Sequence, residues 1–132
     1  LKDELDTIKV SKKGKVTYPS YSMTVPMKGT QLYDYCVEHD LIDKSTFVGD
    51  LNGCSERSSL TCFTDKEKDI RLNIFFLGAM IAKLPYPLDR LAISMIKIVP
   101  PNMFFKKIRD IIYNYNITHK IFKFPEIGYR DI

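Results

Sequence analysis

Thr64-Asp65-Lys66-Glu67 is the segment that most constrains how this chain can fold. A threonine followed three residues later by glutamate is a capping box. The Thr64 hydroxyl takes the Glu67 backbone N–H, and the Glu67 carboxylate reaches back to the N–H of Thr64. Behind it Ile70, Ile74, Leu77, Ile81 and Leu84 recur every three or four residues, with Phe75 and Met80 beside them. That spacing predicts a helix from Asp65 to about Lys83 with a broad apolar face. Gly78 in its middle costs about 1 kcal/mol relative to alanine, so the position asks for a reason, such as the close approach of another element. Pro85-Tyr86-Pro87 ends the helix. The apolar run Ile74 to Ala82 inside it is far shorter than the roughly 20 residues a membrane-spanning helix needs.

The remaining segments arrange themselves around this helix. With 132 residues, 45% hydrophobic and 27% charged, the chain holds enough apolar material for one folded domain. Residues 1–15 are polar and charged and read as a flexible basic arm, leaving 16–132 as the globular part. Tyr21, Met23, Val25 and Met27 alternate with Ser22, Thr24 and Pro26, the pattern of a half-buried strand. Thr30 is placed to cap a helix from Gln31 to His39, with Leu32, Tyr35, Cys36 and His39 on one side. Thr46 to Ser59 carries turn signals, and Leu60 to Phe63 suits a short strand. Leu88 to Val99 fits both periods, and its β-branched ending tips the reading to strand. Asn102 caps a further helix lined by Phe105, Ile108, Ile112 and Tyr115, and Ile117 to Phe124 alternates as a closing strand. The expected architecture is therefore α+β: a small antiparallel sheet packed against two or three helices in a single domain.

Charge is spread unevenly along the chain. The net charge is only +4, yet Lys9 to Tyr33 holds five lysines and no acid, and Arg90 to Arg109 holds five bases and no acid. Asp34 to Asp50 reverses the balance, with five acids against Lys44. Two unlike surfaces on one small domain attract polyanions and favour head-to-tail association of copies. Lys9, Lys12, Lys13, Lys15, Lys106, Lys107 and Arg109 are thus candidates for holding an anionic membrane or nucleic acid. Glu38, Asp40 and Asp43 are candidates for a self-association or partner face, the latter making the chain a small adaptor. Between Pro101 and Lys123, Phe104, Phe105, Tyr113, Tyr115, Phe122 and Phe124 are interleaved with bases, a mixture that suits a stacking platform for single-stranded nucleic acid. The plainer alternatives are solvated charge runs and core aromatics.

Catalytic chemistry leaves little trace. Three cysteines and two histidines are scattered without C-x-x-C or close His pairs, which excludes an ordinary zinc site. Walker A and dinucleotide-binding glycine motifs are missing. Cys36 and His39 share a helix face, but a cysteine on an amphipathic helix is chiefly a small core residue. No catalytic residue, metal or cofactor is assigned, and the expectation is a protein that is not an enzyme. An odd, low cysteine count and a charged Leu1–Asp6 without an apolar stretch point to an intracellular, non-secreted setting.

The order of elements resembles the matrix proteins of rhabdoviruses. The residues that carry the likeness are Lys9-Val10-Ser11-Lys12-Lys13-Gly14-Lys15, the alternation Tyr21–Met27, the helices near Thr30 and around Phe76-Leu77-Gly78, and the segment after Pro87. The likeness spans roughly Lys12 to Val99. Pro100-Pro101-Asn102-Met103 departs from the family's P-P-x-Y budding motif, with Met in place of Tyr. The resemblance implies a non-enzymatic assembly protein that self-associates, binds the inner membrane leaflet and condenses a nucleocapsid, with an antiparallel sheet packed on helices.

Overall fold

The capping box forms. In the computed structural model, which describes residues 1–42 and 57–121, the Thr64 hydroxyl accepts from the Glu67 backbone N–H at 3.3 Å, and Glu67 accepts from the Thr64 N–H at 2.9 Å. The helix it opens, Asp65–Ile81, is the third of five α-helices among the described residues. The others are α1 (Lys2–Lys13), α2 (Gln31–Glu38), α4 (Leu88–Ile98) and α5 (Met103–Asn116), with the capped helix as α3. A π-helical turn, Ile117–Ile121, extends α5.

Among the described residues, α3 is the hub of a single all-helical fold. Ile70, Ile74, Leu77 and Ile81 are buried as their spacing demands, but so are Leu72, Phe76 and Ala79 on the other sides. A helix buried all round must be surrounded, and α1, α4 and α5 each pack against α3. The core joins Ile8 of α1, Ala92 and Ile96 of α4, and Phe105 of α5 to these α3 residues. Asn73, also on α3, is completely buried. Its side-chain N–H group donates to the carbonyls of Ile96 at 2.9 Å and Val99 at 2.7 Å, which the end of α4 leaves without helical partners.

The expected α+β architecture is not what forms: among the described residues there is no β-strand. Leu88–Ile98 is helix α4, because Ala92, Ile96 and Val99 at helical spacing meet α3 and override the β-branched ending. Tyr21–Met27 keeps the alternation only as far as Thr24, with Met23 inside and Ser22 and Thr24 outside; Pro26, expected on the outer side, is fully buried, and the segment has no ladder among the described residues. Its Tyr21 ring lies against Gly78, where a Cβ would come within 2.8 Å of the ring. Leu60 makes one isolated antiparallel bridge to Ile42 instead of a strand. The Ile117–Phe124 alternation is helical as far as Ile121, and its last residues lie outside those described.

Residues 2–13, read as a loose arm, form α1. Leu1, Leu5 and Ile8 fall on one side and dock on the core, with Ile8 only 2% exposed. Asp3 and Glu4 stand in the first turn and Lys12 and Lys13 in the last, which complements the helix dipole. Arg71 of α3 donates to Glu4 at 2.8 Å and lies over the Phe63 ring. Lys12 pairs with Asp89 of α4, and the Lys83 ammonium donates to the Val16 carbonyl.

Candidate functional site

The described residues hold no group of three or more Cys, His, Asp or Glu side chains placed to bind a metal ion. Cys36 is buried in the interior, whereas His39 is exposed and packs its ring on Tyr35 at 4.2 Å. The thiol and imidazole therefore do not work on a common space. A cleft of about 510 Å³ opens between α1, Ser20–Thr24 and α3, with Phe63, Phe75 and Ile74 among its walls and the Glu4–Arg71 pair at its edge. No cysteine or histidine lines it.

The surface is more informative. α5 follows Asn102, whose side chain accepts from the Phe105 N–H at 3.0 Å, so the helix starts where the sequence places it. Phe105 turns inward. Phe104, Ile111 and Tyr115, the last two seven and eleven positions along from the first, form one stripe about a quarter-turn round from Phe105, and they are 67%, 70% and 53% exposed. Met103 stands bare at the N-terminal end and Ile121 on the π-turn. Lys107 lies on the flank of this stripe and Lys106 beside Met103. The one acid of α5, Asp110, is taken by Arg109 at 3.0 Å. The exposed part of α5 is thus apolar and cationic. Lys120 reaches over the Tyr115 ring, 5.6 Å from its centre.

α4 carries a second bare stripe. Leu88, Leu91, Met95 and Ile98, at spacings of three, seven and ten, lie beside the buried Ala92 and Ile96. Exposure is greatest at Ile98, 81%, on the edge where Ser94, Arg90 and Lys97 continue the surface. α2 shows the opposite sign. Leu32 and Tyr35 are exposed, against the expectation that they share a core face with Cys36, and Asp34 and Glu38 sit beside them with no lysine or arginine on the helix.

The candidate residues fall into two groups. Lys9 is engaged by Asp6, Lys12 by Asp89, and Arg109 by Asp110 while lying over the Phe75 and Tyr113 rings. Lys13, Lys15, Lys106 and Lys107 are exposed with no partner among the described residues. The Tyr18 ring meets the Tyr113 ring at 6.0 Å, so the chain leaving Lys15 crosses onto α5. Glu38 and Asp40 are exposed, and Asp43 lies outside the described residues. Of the interleaved aromatics, Phe104 and Tyr115 are open, Phe105 is core, and Phe122 and Phe124 lie outside the described residues. The apolar stripe of α4 and the exposure of Ile111 were missed at the sequence level. The signal was the apolar arc of Leu88–Val99, wider than one core contact needs.

No family model, curated protein or solved structure matches this chain. Among the described residues no helix is long and apolar enough to cross a membrane.

Proposed function

We propose that this protein is a non-enzymatic module that seats the outer face of α5 on an anionic lipid surface. The observation that carries the reading is the bare Phe104–Ile111–Tyr115 stripe with unpaired Lys107 on its flank and unpaired Lys106 farther round the exposed surface next to Met103, on a helix whose only acid is neutralised. A helix with an apolar side and a cationic rim lies in the headgroup region of a bilayer, apolar side down. Lysines near an anionic surface contribute roughly 1 kcal/mol each, and their long stems let the ammonium stay with the headgroups. Such attachment is reversible and weakens with salt.

Single-stranded nucleic acid is the competing polyanion, and the side chains favour lipid. A stacking platform uses open aromatic faces. Here Met103, Ile111 and Ile121, half of the exposed apolar side chains of α5 and its π-turn, are aliphatic, and Phe105 is buried. Aliphatic side chains gain from hydrocarbon and offer bases no stacking. The membrane attachment implied by the rhabdovirus matrix resemblance is of the same kind, but the proposal rests on α5 alone.

Flotation with phosphatidylserine-containing and pure phosphatidylcholine vesicles tests it. Binding to the first set alone, weakened by salt and by Lys106→Glu/Lys107→Glu, is the expected result. Binding to single-stranded RNA with no vesicle binding would replace the proposal.

A further inference from the structure

From the two surfaces that α5 does not use, we infer that copies of this chain associate head to tail, α2 of one copy against α4 of the next. α4 offers Leu88, Leu91, Met95 and Ile98 with Arg90 and Lys97 along the outer edge. Its acid, Asp89, is already held by Lys12. α2 offers Leu32 and Tyr35 with Asp34 and Glu38 along the edge, and Asp40 follows just beyond the helix. Each helix therefore pairs an apolar strip with a charged margin, and the margins have opposite sign. Among the described residues of one chain, α2 takes no substantial part in the packing around α3, and α4 gives α3 only its other side. A second copy of the chain carries both complementary halves of the contact.

Two copies meeting α4 to α4 would set Arg90 and Lys97 against the same bases, which opposes association. An α2–α4 contact brings acid to base and covers both strips. The contact uses different patches on each copy, so it leaves one of each free and propagates a chain of copies instead of closing a dimer. The strips are small, so association is weak, dependent on concentration and sensitive to salt. None of this depends on lipid, and the test is run without it.

The test is sedimentation velocity of the full chain across a concentration series at low and high salt, with two double variants. Asp34→Lys/Glu38→Lys makes both patches basic. Arg90→Glu/Lys97→Glu makes both acidic. Each variant alone is expected to associate at least about tenfold more weakly than the parent. An equimolar mixture of the two is expected to recover association, because basic α2 then meets acidic α4 and acidic α2 meets basic α4. Far-UV circular dichroism identical to the parent excludes misfolding. A parent that stays monomeric throughout overturns the inference. So does an Asp34→Lys/Glu38→Lys variant that associates like the parent, or a mixture of two folded variants that fails to recover.

Discussion

The buried side chain of Asn73 donates to the backbone carbonyl of Ile96 at 2.9 Å, so α3 holds the end of α4 through a polar contact inside an apolar core. The same group reaches the Val99 carbonyl at 2.7 Å. A buried carbonyl that loses its donor costs about 1–3 kcal/mol. Asn73→Leu keeps the side-chain shape and is expected to destabilise by an amount in that range. Asn73→Asp is expected to cost more, because it turns a carboxylate toward two carbonyl oxygens. Denaturant unfolding of both variants checks the order. Equal stability of Asn73→Leu and the parent would show that the contact contributes nothing.

Gly78 is where α3 lets Tyr21 in. Alanine there would gain about 1 kcal/mol of helix propensity. It would also bring a Cβ within 2.8 Å of the Tyr21 ring, whose hydroxyl is held by Ser11 at 3.2 Å. Overpacking of a close contact costs about 1–3 kcal/mol. Gly78→Ala is expected to lower the thermal midpoint in the parent and to leave it unchanged or raise it in a Tyr21→Leu background. Additive effects in that double-mutant cycle would remove the explanation for the glycine.

Acid is expected to loosen α1. Burial pushes the Glu4 carboxyl up, but the chain's terminal amine, its own backbone N–H and Arg71 outweigh that and hold it at about 2, below its ordinary 4.5. A carboxylate whose pKa is depressed by folding adds stability above its unfolded value and loses it as pH falls through the folded one. The Glu4 contribution is therefore whole above about 4.5 and disappears toward about 2. The hydrogen bond from Lys12 likewise lowers Asp89, at the other end of α1. Hydrogen exchange at α1 amides is expected to quicken across this window in the parent and to vary less with pH in Glu4→Gln. The same pH dependence in both would assign the loosening to other groups.

Local chemistry was legible in the sequence and the architecture was not. The boxes and caps at Thr64, Thr30 and Asn102 form between residues three apart, and each helix begins where its cap stands. Alternation at Tyr21–Met27 told that Met23 turns inward and Ser22 and Thr24 outward, but it set Pro26 on the outer side, whereas the structure buries it. A period of two does not say whether a sheet or a helix covers the inward side chains, and here Tyr21 meets α3. In Leu88–Val99 apolar residues occupy so wide an arc that both periods fit, and only the meeting with α3 decides. Leu1, Leu5 and Ile8 carried the helical spacing of α1, hidden among charges that suggested an arm. The candidate lysines divide for a similar reason. Lys12 is neutralised by an acid 77 residues away, and Arg71 by one 67 residues away, pairings that no local pattern contains.

The α5 face provides its own reporter. The chain has no tryptophan, so Phe104→Trp introduces a single tryptophan, excitable apart from the eight tyrosines, at the N-terminal end of the proposed contact. Tryptophan is well suited to the headgroup boundary, with an apolar ring and one polar N–H. Emission of this variant, read while phosphatidylserine-containing vesicles are added, tests the central claim most directly. The account predicts a blue shift that bromine-labelled acyl chains quench and salt reverses, with no shift on phosphatidylcholine vesicles. Emission that stays at the fully hydrated position at every lipid concentration would contradict it.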